Sequence, residues 1–361
     1  MKHIDEYRDP NIAKALVEKI KQVHTKPIRL MEICGTHTMA IFRHGIRSLI
    51  PETLELVSGP GCPVCVTAIE EMDRAIKLAR IPNVIVTTFG DMMRVPGSNS
   101  SLQQEAAKGA DVRMVYSTFD ALKIAQQNPQ KEVVFLGIGF ETTAPTVAAS
   151  IQAAKAQGAK NFSVLSCHKL LPPAMDALLE GGKLQIHGFI CPGHVSTIIG
   201  TSSYQKVVER FHTPCVVVGF EPVDILQGIL MLCDQLEAGK AQVEIQYVRA
   251  VRPEGNRSAL KLMEDVFEPC DTPWRGLGLI PLSGLSIRKE YEEFDARKRF
   301  DLEVRPAQEP PGCKCAEILR GASKPVDCKL FRSVCTPSTP IGACMVSSEG
   351  TCAAYFKYHS E

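Results

Sequence analysis

Residues 27–66 read PIRLMEICGTHTMAIFRHGIRSLIPETLELVSGPGCPVCV, and this stretch decides the fold class. Two short apolar runs, 28–33 and 54–57, are typical of buried parallel strands, and each is followed by a turn that contains glycine and cysteine. Successive parallel strands are usually neighbours, and their carboxyl ends meet at one edge of a sheet. We therefore expect the cysteines of both turns to share one crevice.

The second turn carries the pair Cys62-Pro-Val-Cys65, which precedes a segment with helical apolar periodicity. This position predicts that the pair lies in the first turn of a helix, where free N–H groups and the helix dipole favour a thiolate. Such a pair is typical of a redox-active dithiol. We expect at least one of its two thiols to have a lowered pKa.

The first turn places Cys34 and His37 three residues apart. This spacing allows both side chains to bind one metal ion, or the imidazole to hold the thiolate. A buried cysteine beside a surface histidine is the alternative without function. The CxxC pair expected nearby makes that alternative less favoured.

Composition limits the class of protein. The 361 residues are 45% apolar and 22% charged, with a formal net charge of +1. This charge gives no sign of a nucleic-acid partner. There is no signal-peptide pattern and no stretch of about 18 apolar residues, so we expect a soluble, cytoplasmic protein without a membrane partner. Fourteen cysteines in a reducing compartment favour metal or redox chemistry over disulfides.

The order of predicted elements divides the chain into four parts. Residues 1–26 contain an amphipathic helix, which we expect to pack on the last domain. Two sets of four strand–turn–helix units follow, 27–129 and 130–248, with a hinge at 128–131. Residues 249–361 are rich in proline, glycine and cysteine.

This division predicts an α/β fold class. It consists of two similar parallel-sheet α/β lobes around a cleft, plus a third, irregular cysteine-rich domain. The strands should begin near Ile28, Leu54, Val84, Val112, Glu132, Phe162, Ile186 and Cys215.

Polar side chains follow several of these predicted strands. In a doubly wound fold such side chains face the ligand crevice, and with two lobes the natural site is the cleft between them. The carboxylates could instead cap the helices that follow, and both interpretations stay open. The cleft candidates are Thr36, Asp91, Glu141, His194 and Glu221. The segment after Gly137 lacks the third glycine of a dinucleotide fingerprint, which excludes a nicotinamide or flavin site.

Six cysteines lie between Cys313 and Cys352, with the spacing C-x-C-x12-C-x6-C-x8-C-x7-C. No histidine falls inside this array, and the paired close spacings of a zinc ribbon are absent. Four thiolates on an irregular segment fit an iron–sulfur cluster better than structural zinc, although the softness of thiolate permits both.

Six motifs are distributed along the chain: Cys34-Gly-Thr-His37, Gly59-Pro-Gly-Cys-Pro-Val-Cys65, Gly139-Phe-Glu-Thr-Thr143, Pro192-Gly-His-Val-Ser196, Gly219-Phe-Glu-Pro222 and Met345-Val-Ser-Ser-Glu-Gly-Thr-Cys352. Together they resemble the hydrogenase maturation factor HypD family over essentially the whole chain. The resemblance implies a scaffold that assembles the Fe(CN)2CO group of [NiFe] hydrogenase with the small partner HypC and the cyanide donor HypE. It also implies three domains, of which the third holds a [4Fe-4S] cluster.

The same resemblance implies roles for individual residues. Cys34 would hold the nascent iron together with a cysteine of HypC. Cys62 and Cys65 would be the redox pair of the cleft, with His37 beside them. The family pattern of cluster ligands best fits Cys315, Cys328, Cys335 and Cys352, and it leaves Cys313 and Cys344 without an assigned role.

The residues alone leave two other functions open. A thiol–disulfide oxidoreductase would use the cluster and the CxxC pair to reduce a disulfide, and it would not need Cys34. A metal-stabilised binding module would leave the CxxC pair inert. The scaffold interpretation agrees with the chemistry, because low-spin iron that carries cyanide and CO requires soft thiolate ligands in a pocket that excludes water.

Overall fold

The computed structural model describes residues 5–181 and 185–359. The strands in this part of the chain are β1 (Ile28–Glu32), β2 (Leu54–Ser58), β3 (Val84–Thr88), β4 (Val112–Met114), β5 (Glu132–Gly137), β6 (Phe162–Ser166), β7 (Gly188–Pro192), β8 (Cys215–Val218), β9 (Val243–Ile245), β10 (Phe267–Trp274) and β11 (Gly278–Ile287).

Helices connect most of the strands. They are α1 (Pro10–Val23), α2 (Gly35–Arg43), α3 (Ile46–Leu49), α4 (Pro63–Val66), α5 (Ile69–Ala79), α6 (Leu102–Ala107), α7 (Thr118–Gln127), α8 (Ala144–Ala156), α9 (Leu171–Glu180), α10 (Gly193–Ile199), α11 (Ser202–Phe211), α12 (Pro222–Glu237), α13 (Arg257–Val266), α14 (Ala296–Arg299), α15 (Cys315–Leu319) and α16 (Thr351–Tyr358). Short 3-10 helices occur at Asp5–Arg8, Gly90–Met93, Lys289–Phe294, Pro325–Asp327 and Ala343–Met345.

Two parallel sheets form the α/β part of the molecule. One has five strands in the order β2-β1-β7-β8-β9, and the other has four in the order β4-β3-β5-β6. Strands β10 and β11 form an antiparallel hairpin, and an irregular cysteine-rich segment follows them. The predicted α/β class, with two parallel lobes and a third irregular region, is confirmed. The strands are continuous apolar runs because both faces of each sheet are covered.

The strands are not grouped in the order of the chain. The division at residue 129 placed the first four strands in one lobe, but β1 and β2 share a sheet with β7, β8 and β9, whereas β3 to β6 form the other sheet. In the register of the first sheet, Leu30 pairs with both Leu56 and Gly188. The predicted hinge at 128–131 therefore connects α7 to β5 inside one lobe. Parallel strands are joined by crossovers over the sheet face, so a strand can accept its neighbour from a distant part of the chain.

The N-terminal helix packs on the five-stranded lobe. We had expected it to pack on the last domain instead. Asp9 caps α1 by accepting the backbone N–H of Asn11 at 2.7 Å. Val17 and Ile20 on its apolar face belong to the same core as Leu226 on α12. An amphipathic stripe predicts that a helix packs against a neighbour, but it does not identify that neighbour.

The last helix connects the cysteine-rich segment to the five-stranded lobe. Helix α16 packs against α2, with the rings of Phe42 and Tyr355 4.5 Å apart and the guanidinium of Arg47 over both rings. Since α2 begins directly after Cys34, this packing brings the C-terminal segment to the first cysteine turn. Within the described ranges, no helix is long and apolar enough to cross a membrane.

Candidate functional site

The two cysteine turns lie in contact at the carboxyl ends of β1 and β2. The backbone N–H of Gly35 donates to Gly61 O at 2.9 Å, and that of Gly59 donates to Glu32 O at 2.8 Å. A Cβ atom on Gly61 would lie 2.0 Å from the backbone nitrogen of Cys34. Only glycine permits this approach, which places the thiol of Cys34 beside the turn that carries the CxxC pair.

This contact leads to a stability prediction. Gly61→Ala should lower the free energy of unfolding by about 1–3 kcal/mol or more, because the methyl group forces the two turns apart. Urea denaturation followed by circular dichroism measures the change. Gly181→Ala is the matched control, since a Cβ there would meet only Ala177 O at 3.5 Å and Leu178 O at 3.7 Å, which are ordinary contact distances. Equal stability of the two variants would contradict the close contact.

Cys34 lies at the N-terminus of α2 and is only 7% exposed. The backbone N–H groups of His37 and Thr36 at this helix N-terminus act to lower the pKa of its thiol. Burial nevertheless raises the pKa of this thiol to about 12, with Glu349 and Glu32 acting in the same direction. Without a cation to bind, Cys34 is therefore a neutral thiol.

The CxxC pair begins a helix, but that helix, α4, is a single turn. The sulfur atoms of Cys62 and Cys65 lie 2.7 Å apart, and both side chains are buried. Cys62 Sγ accepts the backbone N–H of Cys65 at 3.4 Å. The pKa of Cys65 is raised, first by burial and then by Cys62, Cys344 and Cys315. We expected a lowered pKa for at least one of the two thiols. The pKa of Cys65 is raised instead, because burial outweighs the dipole of so short a helix.

The imidazole of His37 contacts the end of β8. Its Nε2 lies 2.8 Å from Gly219 O, so Nε2 carries the proton and Nδ1 is unprotonated. The ring is fully buried, and burial lowers its pKa to about 4. The ring of Phe220 lies 4.8 Å from this ring and stacks 4.0 Å from the ring of His194. His194, which is exposed, thus forms the outer layer of an aromatic stack above His37.

Two carboxylates near Cys34 were not singled out from the sequence. Glu349 accepts the hydroxyl of Thr36 at 2.7 Å and comes from the segment that precedes α16. Glu32 is fully buried, accepts the hydroxyl of Thr38 at 2.7 Å, and has a pKa raised to about 7 by burial. Glu32 could have been found from the sequence, because it is the one carboxylate in the apolar run 28–33 and lies two residues before Cys34. No local pattern indicates that Glu349 reaches the first turn.

The other candidate carboxylates each contact a neighbouring group of the fold. Glu221 forms a capping box with Asp224 at the start of α12, and its side chain pairs with Arg8 at 2.8 Å. Glu141 accepts the backbone N–H of Leu171 at 3.0 Å at the start of α9, and burial raises its pKa to about 7. Asp91 lies at the edge of the four-stranded sheet and is 3.8 Å from Arg94.

The six C-terminal cysteines gather next to the CxxC pair. Cys344 Sγ is 2.7 Å from Cys315 Sγ and 3.4 Å from Cys352 Sγ. Cys65 Sγ is 3.9 Å from the carbonyl of Ala343, so α4 touches this segment directly. The two cysteine groups that the sequence separates by about 250 residues therefore form one continuous region.

The thiols of this region are not arranged around a single ion. Among the described residues, no group of three or more histidine, cysteine, aspartate or glutamate side chains is positioned to hold one metal ion. A mononuclear zinc site requires such convergence. An iron–sulfur cluster does not, because each thiolate binds a different iron atom.

Comparison with known proteins agrees with these motifs. The HypD family model, described as "Hydrogenase formation hypA family", matches residues 11–359. The chain belongs to the HypD family. It is 52% identical to the hydrogenase expression/formation protein HupD of Azotobacter chroococcum, over 99% of this chain and 97% of that protein.

Two further relatives are similar over their full length. The hydrogenase maturation factor HypD of Escherichia coli is 46% identical, over 100% of this chain and 99% of that protein. A putative hydrogenase expression/formation protein of Methanocaldococcus jannaschii is 46% identical, over 97% of this chain and 98% of that protein. As a HypD family member, the chain has a role in hydrogenase maturation.

Proposed function

We propose that this HypD family member is the scaffold on which the iron of [NiFe] hydrogenase receives its cyanide and CO ligands. The observation that carries the proposal is the position of Cys34. Its buried thiol lies at the shared edge of β1 and β2, next to the turn that carries a dithiol, and three residues before His37, whose ring is packed on Phe220. This arrangement offers a soft ligand in a site largely closed to water.

Iron is the cargo of this site. Because burial keeps Cys34 protonated, binding of the iron cation displaces the thiol proton and leaves a thiolate ligand. The backbone N–H groups of Thr36 and His37 then donate to the charged sulfur. A cysteine of HypC would supply a second thiolate, and HypE would deliver cyanide. Both partner assignments follow from the family to which the chain belongs.

The C-terminal cysteines fit a resident [4Fe-4S] cluster in donor type and number. The side chains of Cys328, Cys335 and Cys352 are buried, and that of Cys313 is half-buried. The backbone of Gly342 passes close to these thiols, since a Cβ atom there would lie only 2.9 Å from Cys313 Sγ. When bound, such a cluster supplies single electrons.

The geometry changes which four cysteines we assign to this cluster. The 2.7 Å separation of Cys315 and Cys344 equals that of the CxxC pair, so these two sulfurs are placed as a second dithiol. Two ligands of one cluster belong to different iron atoms and cannot lie so close together. We therefore replace Cys315 by Cys313 in the ligand set. The proposed ligands are Cys313, Cys328, Cys335 and Cys352.

The second dithiol lies between the first dithiol and the proposed cluster. Cys65 is electrostatically coupled to both Cys344 and Cys315, and Cys344 contacts Cys352. Thiol–disulfide exchange can therefore pass two electrons between the pairs. When the Cys62–Cys65 dithiol is oxidised to a disulfide, a Cys315–Cys344 disulfide is reduced and takes up the two protons.

Disulfide mapping tests this pairing. After mild oxidation of the protein by diamide, we expect peptide mass spectrometry to find Cys62 linked to Cys65 and Cys315 linked to Cys344. Cys233 is the internal control, because it lies on α12 in a part of the core that contains neither dithiol, and it should stay unlinked. A dominant Cys313–Cys315 linkage, or protection of Cys344, would contradict the second dithiol.

Infrared spectroscopy of the chain isolated with its small partner tests the proposed function. We expect bands from cyanide and CO stretching, which ordinary protein groups do not show. A thiol–disulfide oxidoreductase, the competing function, would give active dithiols and no such bands. The observation that supports testing this second function is the presence of two dithiols in adjoining segments.

A further inference from the structure

A loop of the cysteine-rich segment, residues 328–335, has a proposed cluster ligand at each end. Phe331 closes this loop, since its N–H donates to Cys328 O at 2.9 Å and its backbone pairs with that of Cys335. Cys328 is 8% exposed and Cys335 is 6% exposed, whereas both cysteines of the second dithiol are 1% exposed. Two of the four proposed ligands therefore lie just beneath the surface, and the loop forms the outer wall of the cluster site.

Apolar side chains beside these two ligands are open to solvent. Val334, which directly precedes Cys335, is 56% exposed, and Val326, two residues before Cys328, is 49% exposed. A single exposed valine is ordinary, but exposed apolar groups with a charged rim are typical of surfaces that contact another protein. The charge around these valines therefore decides whether the outer wall is such a surface.

Positive charge is concentrated in the same part of the chain. Residues 320–340, the basic segment, contain four cationic side chains and one carboxylate, whereas all 361 residues together have a net charge of only +1. Two of the cations, Lys329 and Arg332, lie in the loop itself, which contains no carboxylate. Lys329 is exposed and forms no ion pair within the part of the chain that the structure describes. The other two cations are Arg320 and Lys324, both exposed, and the carboxylate is Asp327.

Carboxylates of neighbouring elements do not neutralise the basic segment. Glu55 of β2 lies 3.4 Å from Lys324, but it is also paired with Arg29 at 2.7 Å. Other nearby carboxylates are paired with cations outside the segment. These pairs are Glu317 with Lys314 at 3.4 Å and Asp91 with Arg94 at 3.8 Å. Since each of these carboxylates has a cation of its own, the surplus of positive charge in the basic segment remains.

We propose that the basic segment docks an acidic redox protein, which delivers single electrons to the cluster through the outer wall formed by loop 328–335. The partner is oxidised by one electron, the cluster is reduced by one electron, and no bond forms or breaks. Opposite charges steer the two proteins together, and the small apolar area keeps the contact weak, as in other electron-transfer complexes. This role rests on the proposed cluster, whereas docking depends only on the surface of the chain.

A plant-type [2Fe-2S] ferredoxin and a cytochrome c are contrasting probes, because both carry one electron but the first is acidic and the second is basic. Isothermal titration calorimetry of the full chain with each probe measures binding at ionic strengths of about 0.01 M and about 0.15 M. We expect ferredoxin to bind at the lower ionic strength and to lose about tenfold in affinity at the higher one, and cytochrome c not to bind. Equal binding of both probes, or binding of neither, would overturn the proposal.

A charge-reversal variant locates the docking site. Lys329→Glu should weaken ferredoxin binding by about tenfold and slow reduction of the cluster by ferredoxin to a similar extent. Reduction by methyl viologen should not become slower, because a small cation needs no docking surface. Lys123→Glu is the matched control, since Lys123 is an exposed lysine on α7 of the four-stranded lobe, and it should change neither binding nor rate. Unchanged ferredoxin binding in Lys329→Glu, or an equal loss in Lys123→Glu, would contradict the docking site.

Cross-linking separates docking from the cluster on which electron delivery rests. Carbodiimide joins carboxylates of bound ferredoxin to lysines of this chain, and we expect mass spectrometry to find Lys324 and Lys329 among the linked residues. Such links in a chain whose absorbance methyl viologen does not bleach would contradict the cluster and keep the docking site. Bleaching with links only outside the basic segment would overturn the docking site and keep the cluster. A dimer of this chain that Lys329→Glu dissociates would assign the surface to a second copy and overturn the proposal.

Discussion

Loss of the cluster is the expected result when Cys313, Cys328, Cys335 or Cys352 is replaced by alanine. Each substitution removes one of four thiolates and leaves an iron atom without its protein ligand. Protein purified without oxygen should contain about four iron and four sulfide per chain, and each of these variants should lose most of both. Iron and acid-labile sulfide analysis measures the change.

Cys315→Ser and Cys344→Ser are the matched controls for these variants. Both residues belong to the same segment and are buried, but we assign them to the second dithiol. They should retain the iron and sulfide content while losing disulfide exchange with the CxxC pair. Cluster loss in Cys315→Ser with retention in Cys313→Ala would restore the ligand set that the family resemblance implied. Stoichiometric zinc without sulfide would contradict the proposed iron–sulfur cluster.

The sequence was sufficient to predict strands β1 to β8 and the contact of the two cysteine turns, but it did not predict β9 or the β10-β11 hairpin. Continuous apolar runs such as 28–33 predict buried parallel strands, because both sheet faces are covered. The nearness of Cys34 to the CxxC turn followed from the adjacency of β1 and β2. These features depend on local sequence and on the tendency of successive strands to pair.

Long-range pairing was not predictable in the same way. The apolar pattern of β1 gives no information on β7, its other neighbour, because any parallel strand of similar length would fit. For the same reason, the division of the chain at residue 129 did not match the two sheets. The apolar stripe of α1 predicted that it packs, but not that it packs on α12.

The cysteine chemistry shows where spacing alone is ambiguous. The array between Cys313 and Cys352 permits several sets of four ligands, and only the fold shows that the sulfurs of Cys315 and Cys344 lie 2.7 Å apart. Likewise, the helix-start position of the CxxC pair suggested a lowered pKa, whereas burial beside other thiols raises that of Cys65. Burial depends on tertiary packing, which a local motif does not contain.

Loss of the bound iron group is the second large effect that we expect, and Cys34→Ser should cause it. A serine hydroxyl stays protonated near neutral pH and is a poor ligand for low-spin iron, so iron retention should fall sharply. The fold should persist, since the substitution replaces one small buried side chain by another of similar size. The proposed cluster should also persist, because Cys34 is not among its ligands.

Cys233→Ser is the control for this experiment, because Cys233 is equally buried but lies on α12 in the core of the lobe. The infrared spectra of both variants, each isolated with the small partner, test the scaffold function most directly. We predict that the cyanide and CO bands disappear in Cys34→Ser and remain in Cys233→Ser. Undiminished bands in Cys34→Ser would contradict Cys34 as the ligand that holds the iron.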